Sequence, residues 1–383
     1  MKIAISINTS WNIYNFRAGI IKELIKNGHE VHAIAPHDDA VGKLEELGCI
    51  CHDVYLDNSG MSVLNDYKYF RQYRKLLQQV RPDAVLSYTI KPNIYGTIAS
   101  GSLKIPVINN VSGLGTAFLW NKLLKTLVIG LYRYAFQRSS HIFFQNQHDR
   151  ALFLEEVKIS GENTSILPGS GVDTTHFSPA TSASENREFT FLMISRLLID
   201  KGIAEYCEAA RNLRASGAKV KFQILGKPEE EHQRGYSKAK IASLEKEGIV
   251  EYLGTTTDVR PFIAAADCIV LPSYREGTAK TLLEAASMGK PMIATDVPGC
   301  NNVVENNVNG LLCEVKNADS LTQACQQMLY ASTEKLASYA KSSREKAMNE
   351  FDEKIVIEKY LIKLGEVTGK KVKKINTKEK VLA

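Results

Sequence analysis

Two glutamates, Glu276 and Glu284, stand eight positions apart in a segment whose pattern predicts a strand, a loop and a helix. The apolar run ends at Pro272, and Glu276 and Gly277 follow in the loop. The start of the next helix offers unpaired backbone N–H groups and the positive end of the helix dipole, which together suit a diphosphate. The residues predicted to line this helix start are Gly277, Thr278, Ala279, Lys280, Thr281 and Leu282.

The two carboxylates suit different polar groups. Glu276 lies in the mouth of the loop, where it can accept hydrogen bonds from sugar hydroxyls. Glu284 lies further along the helix, where a carboxylate can accept two bonds from a ribose diol, as the acidic residue of dinucleotide sites does. The alternative is that Glu276 caps the helix and Glu284 is a surface charge. Because Gly277 between them lets the backbone approach a ligand closely, we favour binding roles.

Two cations follow a second apolar run, residues 189–195. Arg196 and Lys201 come directly after it, at the carboxyl end of the predicted strand. Arginine offers phosphate a bidentate fork, and lysine offers it a point charge. Both residues can therefore stabilise the charge that grows on a leaving diphosphate. The alternative is that they are ordinary solvated basic residues.

The segments that must hold these residues form two series in which short apolar runs alternate with helical patterns. Strands are predicted at residues 2–8, 30–35, 50–55, 84–88, 106–109, 141–144 and 165–167, and then at 189–195, 220–225, 250–253, 268–271 and 291–294. Strands that are apolar on both faces and separated by helices predict parallel sheets. The predicted fold class is therefore α/β, with two Rossmann-like, doubly wound domains facing a cleft.

A Gly- and Pro-rich stretch at 168–179 and a Ser-rich stretch at 180–188 separate the two series. We predict an N-terminal domain at 1–180, a C-terminal domain at 188–350, a helix at 351–365 that crosses back, and a basic tail at 366–383. The tail carries six lysines and two glutamates, and so supplies +4 of the net charge of +6. Such a tail is either solvated or attracted to anionic lipid.

Composition favours a cytoplasmic protein. Apolar residues make up 44% and charged residues 23%, and no apolar run approaches the roughly 18 residues that span a bilayer. The start of the chain lacks the features of a signal peptide and is predicted as a first strand. The seven irregularly spaced cysteines fit a reducing compartment.

Several of these motifs together resemble family 4 of the retaining glycosyltransferases, which have the GT-B fold. They are the segment from Arg196 to Lys201, the pair Glu276 and Glu284, Gly171-Val172-Asp173 with Phe177 and Pro179, and Asn309-Gly310-Leu311. In the first domain, Tyr14-Asn15-Phe16-Arg17, Ile90-Lys91-Pro92-Asn93 and Ser112-Gly113-Leu114-Gly115 resemble a subgroup that assembles bacterial capsule, O-antigen and lipid-linked oligosaccharides.

The resemblance implies transfer of an N-acetylhexosamine or a hexose from a UDP-sugar to a saccharide linked to a lipid diphosphate. It implies that Arg196 and Lys201 bind the donor diphosphate, and that Glu276 contacts the transferred sugar. It places Glu284 at the ribose and the loop 254–258, with Thr255, near the base. No cofactor is expected, because the nucleotide sugar is a co-substrate. A GDP-mannose-type donor, or a sugar-nucleotide 2-epimerase, is the alternative.

The implied partners are the nucleotide-sugar donor, the lipid-linked acceptor and the anionic inner-membrane surface, but no nucleic acid. We expect a peripheral position on the cytoplasmic face of that membrane. Phe16, Arg17 and Gly19 are predicted to open the first helix, whose start would meet the acceptor's diphosphate from the acceptor-side domain. Lys91, near the end of the fourth strand, is predicted to act similarly. The alternative for both cations is an ordinary helix-end or loop charge.

Two departures from the resemblance concern catalysis. Many members of the family carry a histidine after the fifth strand, but here residues 109–113 read Asn-Asn-Val-Ser-Gly. Its role passes to Asn110, Ser112 or backbone groups, or does not exist. The chain also contains no Asp-x-Asp motif, which some glycosyltransferases use to hold a metal ion on the diphosphate. With Arg196 and Lys201 present, this favours metal-independent catalysis.

Residues 120–138 have a helical period. Four leucines at 123, 124, 127 and 131 share one face, and Lys122, Lys125 and Arg133 fall on the opposite face. The segment is either a core helix with a solvated basic face or a helix whose basic face rests on anionic lipid.

Overall fold

The computed structural model describes residues 1–58, 60, 62–113, 122–180, 188–230, 232 and 234–372, and only the backbone of 122–124. The chain divides into two compact units. The first comprises Met1–Ser170 together with the chain from Glu353 onward, and the second comprises Gly171–Asp352.

The first unit contains a parallel sheet of seven strands. They are β1 (Lys2–Ser6), β2 (Glu30–Ala35), β3 (Ile50–Asp53), β4 (Ala84–Tyr88), β5 (Val107–Val111), β6 (His141–Phe144) and β7 (Thr164–Ile166). Their spatial order is β3-β2-β1-β4-β5-β6-β7. The order of the strands along the chain therefore reverses between β1 and β4, which pair with Ile5 beside Leu86.

Six helices follow these strands: α1 (Ser10–Lys26), α2 (Val41–Glu46), α3 (Val63–Val80), α4 (Thr97–Ser102), α5 (Lys122–Phe136) and α6 (Gln147–Val157). A π-helical turn, Pro92–Gly96, leads into α4. Helix α1 begins two turns before the predicted start at Arg17, because Thr9 caps it: the Thr9 hydroxyl accepts a hydrogen bond from the Asn12 N–H. The polar residues of that first turn conceal the helical pattern.

The second unit contains a six-stranded parallel sheet. Its strands are β8 (Phe189–Ile194), β9 (Val220–Leu225), β10 (Glu251–Tyr252), β11 (Cys268–Leu271), β12 (Met292–Thr295) and β13 (Gly310–Cys313), in the order β10-β9-β8-β11-β12-β13. Its helices are α7 (Ile203–Ala215), α8 (Lys238–Lys246), α9 (Arg260–Ala265), α10 (Lys280–Ser287), α11 (Ala318–Leu329) and α12 (Thr333–Glu350). Strand β13 was not predicted, because it is short and begins with a glycine.

Helix α13 (Glu353–Thr368) belongs to the first unit. Its residues Val356, Ile357, Tyr360, Leu361 and Leu364 are buried in one apolar cluster with β1, β2 and α1. The predicted domain limits at 180 and 350 differ from those of the units, because residues 171–180 bond within the second unit. Val172 N donates to Phe351 O over 2.9 Å, and the Thr174 hydroxyl donates to the Asp352 carboxylate over 2.5 Å.

Both sheets are parallel and carry helices between successive strands, which confirms the predicted α/β, doubly wound fold class. All twelve predicted strand segments overlap their observed strands with at most two residues of error at either end; β1, for example, agrees at its start and ends two residues early. These are short, largely apolar runs, and their length distinguishes them from helices.

Candidate active site

The predicted site residues of the second unit follow adjacent strands. Strand β8 pairs with β11, with Leu192 beside Ile269, and the strand order reverses between these two strands. In open α/β sheets, ligands bind outside the carboxyl ends of the strands at such a reversal. The loop after β8 carries Arg196 and Lys201, and the loop after β11 carries Glu276. The sheet topology therefore brings these residues to one edge.

Lys201 and Glu276 form an ion pair between the two loops. Their side chains are 20% and 14% exposed, so the pair is shielded from water on most sides. Glu276 was predicted to be free to accept bonds from a ligand, but its Oε1 already accepts one from the Lys201 ammonium group. A partly desolvated ion pair fixes both side chains more firmly than an exposed one.

Arg196 is held much less firmly. Its side chain is 66% exposed, and its nearest carboxylate oxygen is Glu229 Oε1, at 3.8 Å. This distance exceeds that of a hydrogen bond, and an exposed pair of this kind contributes little stability. The guanidinium therefore keeps its bidentate geometry for an anion at the edge of the sheet.

Asp200, Ser273 and Tyr274, to which the sequence analysis assigned no role, hold the two loops together. Asp200 O accepts hydrogen bonds from Tyr274 N over 2.8 Å and from the Ser273 hydroxyl over 3.2 Å. The Asp200 carboxylate pairs with Arg234. Asp200 belongs to the motif from Arg196 to Lys201, which could have marked it as a site residue. Nothing in the sequence indicates that its backbone carbonyl joins the two loops.

Two glycines allow the loops to approach one another. A Cβ on Gly299 would lie 2.4 Å from Glu276 O, and one on Gly202 would lie 2.1 Å from Pro272 O. Both residues also have positive φ, +84° and +76°, which disfavours other residue types. Gly299, after β12, was missed, although a Pro-Gly pair directly after an apolar run is a turn signal.

Helix α10 begins at Lys280, two residues later than the predicted helix start near Thr278. Ala279 is its cap residue, and the Ala279 side chain forms no capping hydrogen bond. The preceding backbone is fixed by a bond from Ala279 N to Gly299 O, and Thr281 is fixed by a bond from its hydroxyl to Ile194 O over 3.1 Å. The start of α10 has the polarity that suits an anion.

Glu284 is buried, with 7% of its surface exposed, so the alternative that it is a surface charge is wrong. Burial raises the pKa of Glu284 to about 7, against the opposing effect of Lys280, whose Nζ lies 3.7 Å from Glu284 Oε1. A carboxyl with this pKa changes charge near neutral pH. Glu276 does not cap α10 either, because its carboxylate pairs with Lys201.

The remaining donor-side residues lie around these groups. Gly277 and Thr278 precede the helix, and the Thr278 hydroxyl donates to Gly277 O over 2.9 Å. Leu282 is buried in the core beneath the helix. Thr255 is exposed in the loop after β10, two strands away from β8.

The three acceptor-side residues predicted to open α1 do not lie at its start. Phe16, Arg17 and Gly19 are in the second and third turns of α1, so the prediction that they open it is wrong. Phe16 packs edge-on against Trp11, with 6.2 Å between the ring centroids. Gly19 allows close packing, because a Cβ there would lie 2.3 Å from Glu353 Oε2.

Lys91 is already bonded within the first unit. Its Nζ lies 2.6 Å from Asp66 Oδ1 and donates to Gly60 O over 2.8 Å. The Tyr95 hydroxyl donates to the other oxygen of Asp66 over 2.8 Å. This arrangement supports the alternative, in which Lys91 fixes the loop before α3.

The basic face predicted for residues 120–138 is not free. Lys125 pairs with Glu156 of α6 over 2.6 Å, and Arg133 Nε donates to Val157 O over 2.6 Å. Leu127 and Tyr134 are instead exposed, by 57% and 51%. Leu131 packs against the core as predicted, so the prediction fails at Leu127 and at the two cations, which bind the neighbouring helix.

Some predicted features lie outside the described residues: the side chain of Lys122, Leu114 and Gly115 of the first-domain motif, residues 181–187 of the linker, and residues 373–383 of the tail. In the described ranges, no cluster of three or more His, Cys, Asp or Glu residues could hold a metal ion. The helices of those same ranges include none with the length and apolarity to cross a membrane.

The chain is similar to known glycosyltransferases. The family "Glycosyl transferases group 1" matches residues 175–346, and "Glycosyl transferase 4-like" matches residues 2–146. A Campylobacter jejuni N,N'-diacetylbacillosaminyl-diphospho-undecaprenol alpha-1,3-N-acetylgalactosaminyltransferase is 29% identical over 94% of this chain and 97% of its own length. An Escherichia coli UDP-Gal:alpha-D-GlcNAc-diphosphoundecaprenol alpha-1,3-galactosyltransferase is 27% identical over 76% of this chain and 77% of its own.

Among solved structures, Anabaena Alr3699/HepE in complex with UDP and glucose is similar in fold. The TM-score is 0.77 and the identity 20%, over 94% of this chain and 98% of that one. The two sheets define a doubly wound α/β protein in which ligands bind at the strand reversal. More particularly, the chain belongs to the family 4 type of retaining glycosyltransferases with the GT-B fold, which confirms the resemblance.

Proposed function

We propose that this glycosyltransferase moves an N-acetylhexosamine or a hexose from a UDP-sugar to a saccharide on undecaprenyl diphosphate, and that it does so without a metal ion. The Campylobacter and Escherichia coli relatives support the acceptor, since both names specify a diphospho-undecaprenol-linked saccharide. The second name also specifies a UDP-sugar donor. The matches to glycosyltransferase families favour transfer over the 2-epimerase alternative.

The observation that carries this proposal is the ion pair of Lys201 and Glu276 at the strand reversal. A donor diphosphate bound there meets the Lys201 ammonium group, the exposed Arg196 and the start of α10. The Lys201 charge is then shared between Glu276 and the diphosphate. Glu276 consequently lies beside the sugar, while buried Glu284 accepts hydrogen bonds from the ribose diol.

The transfer proceeds on one face of the sugar. The bond between the anomeric carbon and the diphosphate oxygen breaks, and the nucleoside diphosphate leaves with the electron pair. The acceptor hydroxyl oxygen bonds to the anomeric carbon from the same face, and its proton passes to an oxygen of the leaving phosphate. Arg196, Lys201 and the helix start stabilise the leaving charge, so no covalent enzyme intermediate is needed. Glu276 acts by orienting the sugar.

A membrane-bound acceptor calls for a membrane-facing surface, and α3 supplies one. Val63, Leu64 and Tyr67 are 78%, 80% and 57% exposed at its start. Lys68, Arg71 and Lys75 are exposed further along, at the helical spacing of one face that continues from Leu64. Apolar side chains followed by cations on one helical face suit an anionic bilayer surface.

Asp66, the one acidic residue of α3, does not oppose this contact, because it pairs with Lys91. We therefore place the anionic-membrane contact on α3 rather than on α5, and the enzyme as a peripheral protein at that membrane.

A donor and acceptor screen tests the proposal. Purified enzyme is incubated with labelled UDP- and GDP-sugars and a synthetic lipid-diphosphate saccharide. We expect label in the lipid fraction with a UDP-sugar. Epimerised donor, or bound donor without transfer, would contradict the proposal.

A further inference from the structure

A buried arginine in the first unit has no anionic partner among the residues that the structure describes. Arg17, on α1, is 3% exposed, and its guanidinium carbon lies 4.1 Å from the centre of the Tyr88 ring. Within the described residues, no carboxylate pairs with Arg17, and its Nε has no hydrogen-bond partner. The guanidinium therefore contacts the face of the Tyr88 ring but forms neither an ion pair nor a hydrogen bond through Nε with a described residue.

Other shielded cations of the same unit are paired. Lys91 bonds Asp66 and Lys125 bonds Glu156, each over 2.6 Å, although both lysines are more exposed than Arg17. A buried charge without a counter-ion is costly, and a contact with an aromatic ring offsets only part of that cost. The contrast indicates that the counter-ion of Arg17 comes from a ligand.

The position of Arg17 matches a ligand site. Helix α1 follows β1, and Tyr88 is the last residue of β4; the strand order of the first sheet reverses between these two strands. This is the place in a doubly wound sheet where a crevice forms outside the carboxyl ends of the strands. The first unit thus has the same topological opening that holds the Lys201 and Glu276 pair in the second.

Further polar groups line this opening. Asn110, near the end of β5, donates to the Tyr360 hydroxyl over 2.8 Å, and Ser112 donates to Asn110 Oδ1 over 3.0 Å. The Tyr88 hydroxyl is buried beside Tyr360 and makes no hydrogen bond of normal geometry among the described residues. Buried polar groups are normally well bonded, so a weakly bonded hydroxyl beside an unpaired guanidinium is a second sign of a ligand site.

We propose that Arg17 binds a phosphate group of a substrate, in a second anion site that is distinct from Arg196 and Lys201. The planar guanidinium offers two parallel N–H donors, which match phosphate oxygens, and the Tyr88 hydroxyl adds a donor. This inference rests on the proposed function, because the lipid-linked acceptor and the nucleotide-sugar donor each carry a diphosphate. The phosphate chemistry is common to both sources.

Steady-state kinetics of Arg17→Met and Arg17→Lys test the site and identify the source. Loss of a charged hydrogen bond should raise the KM of one substrate about ten- to hundred-fold, with Arg17→Lys intermediate. Lys125→Met, which removes a paired cation of the same unit, should leave both KM values unchanged.

If the acceptor supplies the phosphate, an uncharged alkyl glycoside acceptor will be used equally by wild type and variant. If the donor supplies it, the donor KM will rise with either acceptor. Unchanged KM values for both substrates would overturn the proposal.

Thermal unfolding separates binding from a structural role. Since Arg17→Met removes an unpaired buried charge, its ligand-free Tm should equal or exceed that of the wild type. A lower Tm with both KM values intact would make Arg17 a structural residue and overturn the inference.

Binding of inorganic pyrophosphate decides the matter if Arg17→Met does not fold, and it does not depend on turnover. Calorimetry on the Arg196→Ala/Lys201→Ala variant should still show pyrophosphate binding, and addition of Arg17→Lys should weaken it several-fold. Equal binding with and without Arg17→Lys would contradict the proposal. A wild type that binds pyrophosphate through Arg17 but transfers no sugar would disprove only the proposed function.

Discussion

Lys201 and Glu276, 75 residues apart in the chain, form an ion pair between the loops that follow the adjacent strands β8 and β11. The pair joins a cation assigned to the diphosphate with a carboxylate assigned to the sugar. Because the two side chains are mostly shielded, each fixes the position of the other. We infer that the positioning of the sugar and the stabilisation of the leaving group depend on one another.

Glu276→Gln and Lys201→Met should both lower kcat, by about a hundred-fold each, as expected for groups that act on the transition state. Since the two residues bond one another, the double variant should lose much less than the product of the single losses. Steady-state kinetics with a double-mutant cycle measures this. Glu345→Gln, which changes an exposed glutamate of α12, is the control and should keep full activity. Strictly multiplicative losses would show that the pair does not act as a unit.

The affinity for a nucleotide-sugar donor should rise with pH. Burial raises the pKa of Glu284 to about 7, so the carboxyl is mostly neutral at pH 6 and mostly ionised at pH 8. A ribose diol donates hydrogen bonds to the ionised form, so the donor Kd should fall about tenfold between these pH values. Calorimetry with an intact nucleotide sugar measures this. Glu284→Gln should bind weakly at every pH, and an equal pH dependence in this variant would exclude Glu284 as the cause.

The same carboxyl makes a prediction for stability. Its pKa is higher in the folded protein than the ordinary value of 4.5, so the folded state binds the proton more tightly. The contribution of Glu284 to stability therefore falls as pH rises from about 4.5 to 7, and stays constant above that range. The Tm of Glu284→Gln should rise relative to wild type between pH 5 and pH 8. A Tm difference that does not change with pH would contradict the raised pKa.

Gly299→Ala should displace the backbone that carries Glu276. The new Cβ would meet Glu276 O at 2.4 Å, so we expect more than a tenfold loss of kcat and about 1–3 kcal/mol of destabilisation. Gly217→Ala is a matched control, since Gly217 has the same φ of +84° but nothing within 4 Å of its Cβ position. It should lose stability but keep its activity. If both variants were equally active, the contact with Glu276 would have no functional role.

Membrane binding should depend on α3. Replacing Lys68, Arg71 and Lys75 by Gln should weaken sedimentation with anionic vesicles at low salt, and Val63→Ser/Leu64→Ser should weaken it further. Vesicles of neutral lipid provide one control. Lys125→Gln on α5 provides another, and this variant should bind as the wild type does, because Lys125 pairs with Glu156. If only the α5 variant lost vesicle binding, the membrane contact would lie on α5 and not on α3.

The sequence predicted the fold well because its strands are short apolar runs between helical patterns, and only the glycine-led β13 escaped detection. It predicted the main site residues because they follow these runs directly. It could not predict the pairing of Lys201 with Glu276, or the closeness of Gly299 to Glu276, since both depend on which strands become neighbours. The start of α1 was mispredicted because a threonine cap, not periodicity, sets it. The face of α5 was mispredicted because an ion pair and a hydrogen bond with α6 hold its cations.

The stereochemistry of the product tests the central claim most directly. Proton NMR of the product formed from an α-configured UDP-sugar reports the anomeric configuration of the new bond. Transfer on one face, with the leaving diphosphate held by Arg196 and Lys201, predicts an α-linked sugar. A β-linked product would show attack from the opposite face and would contradict the account.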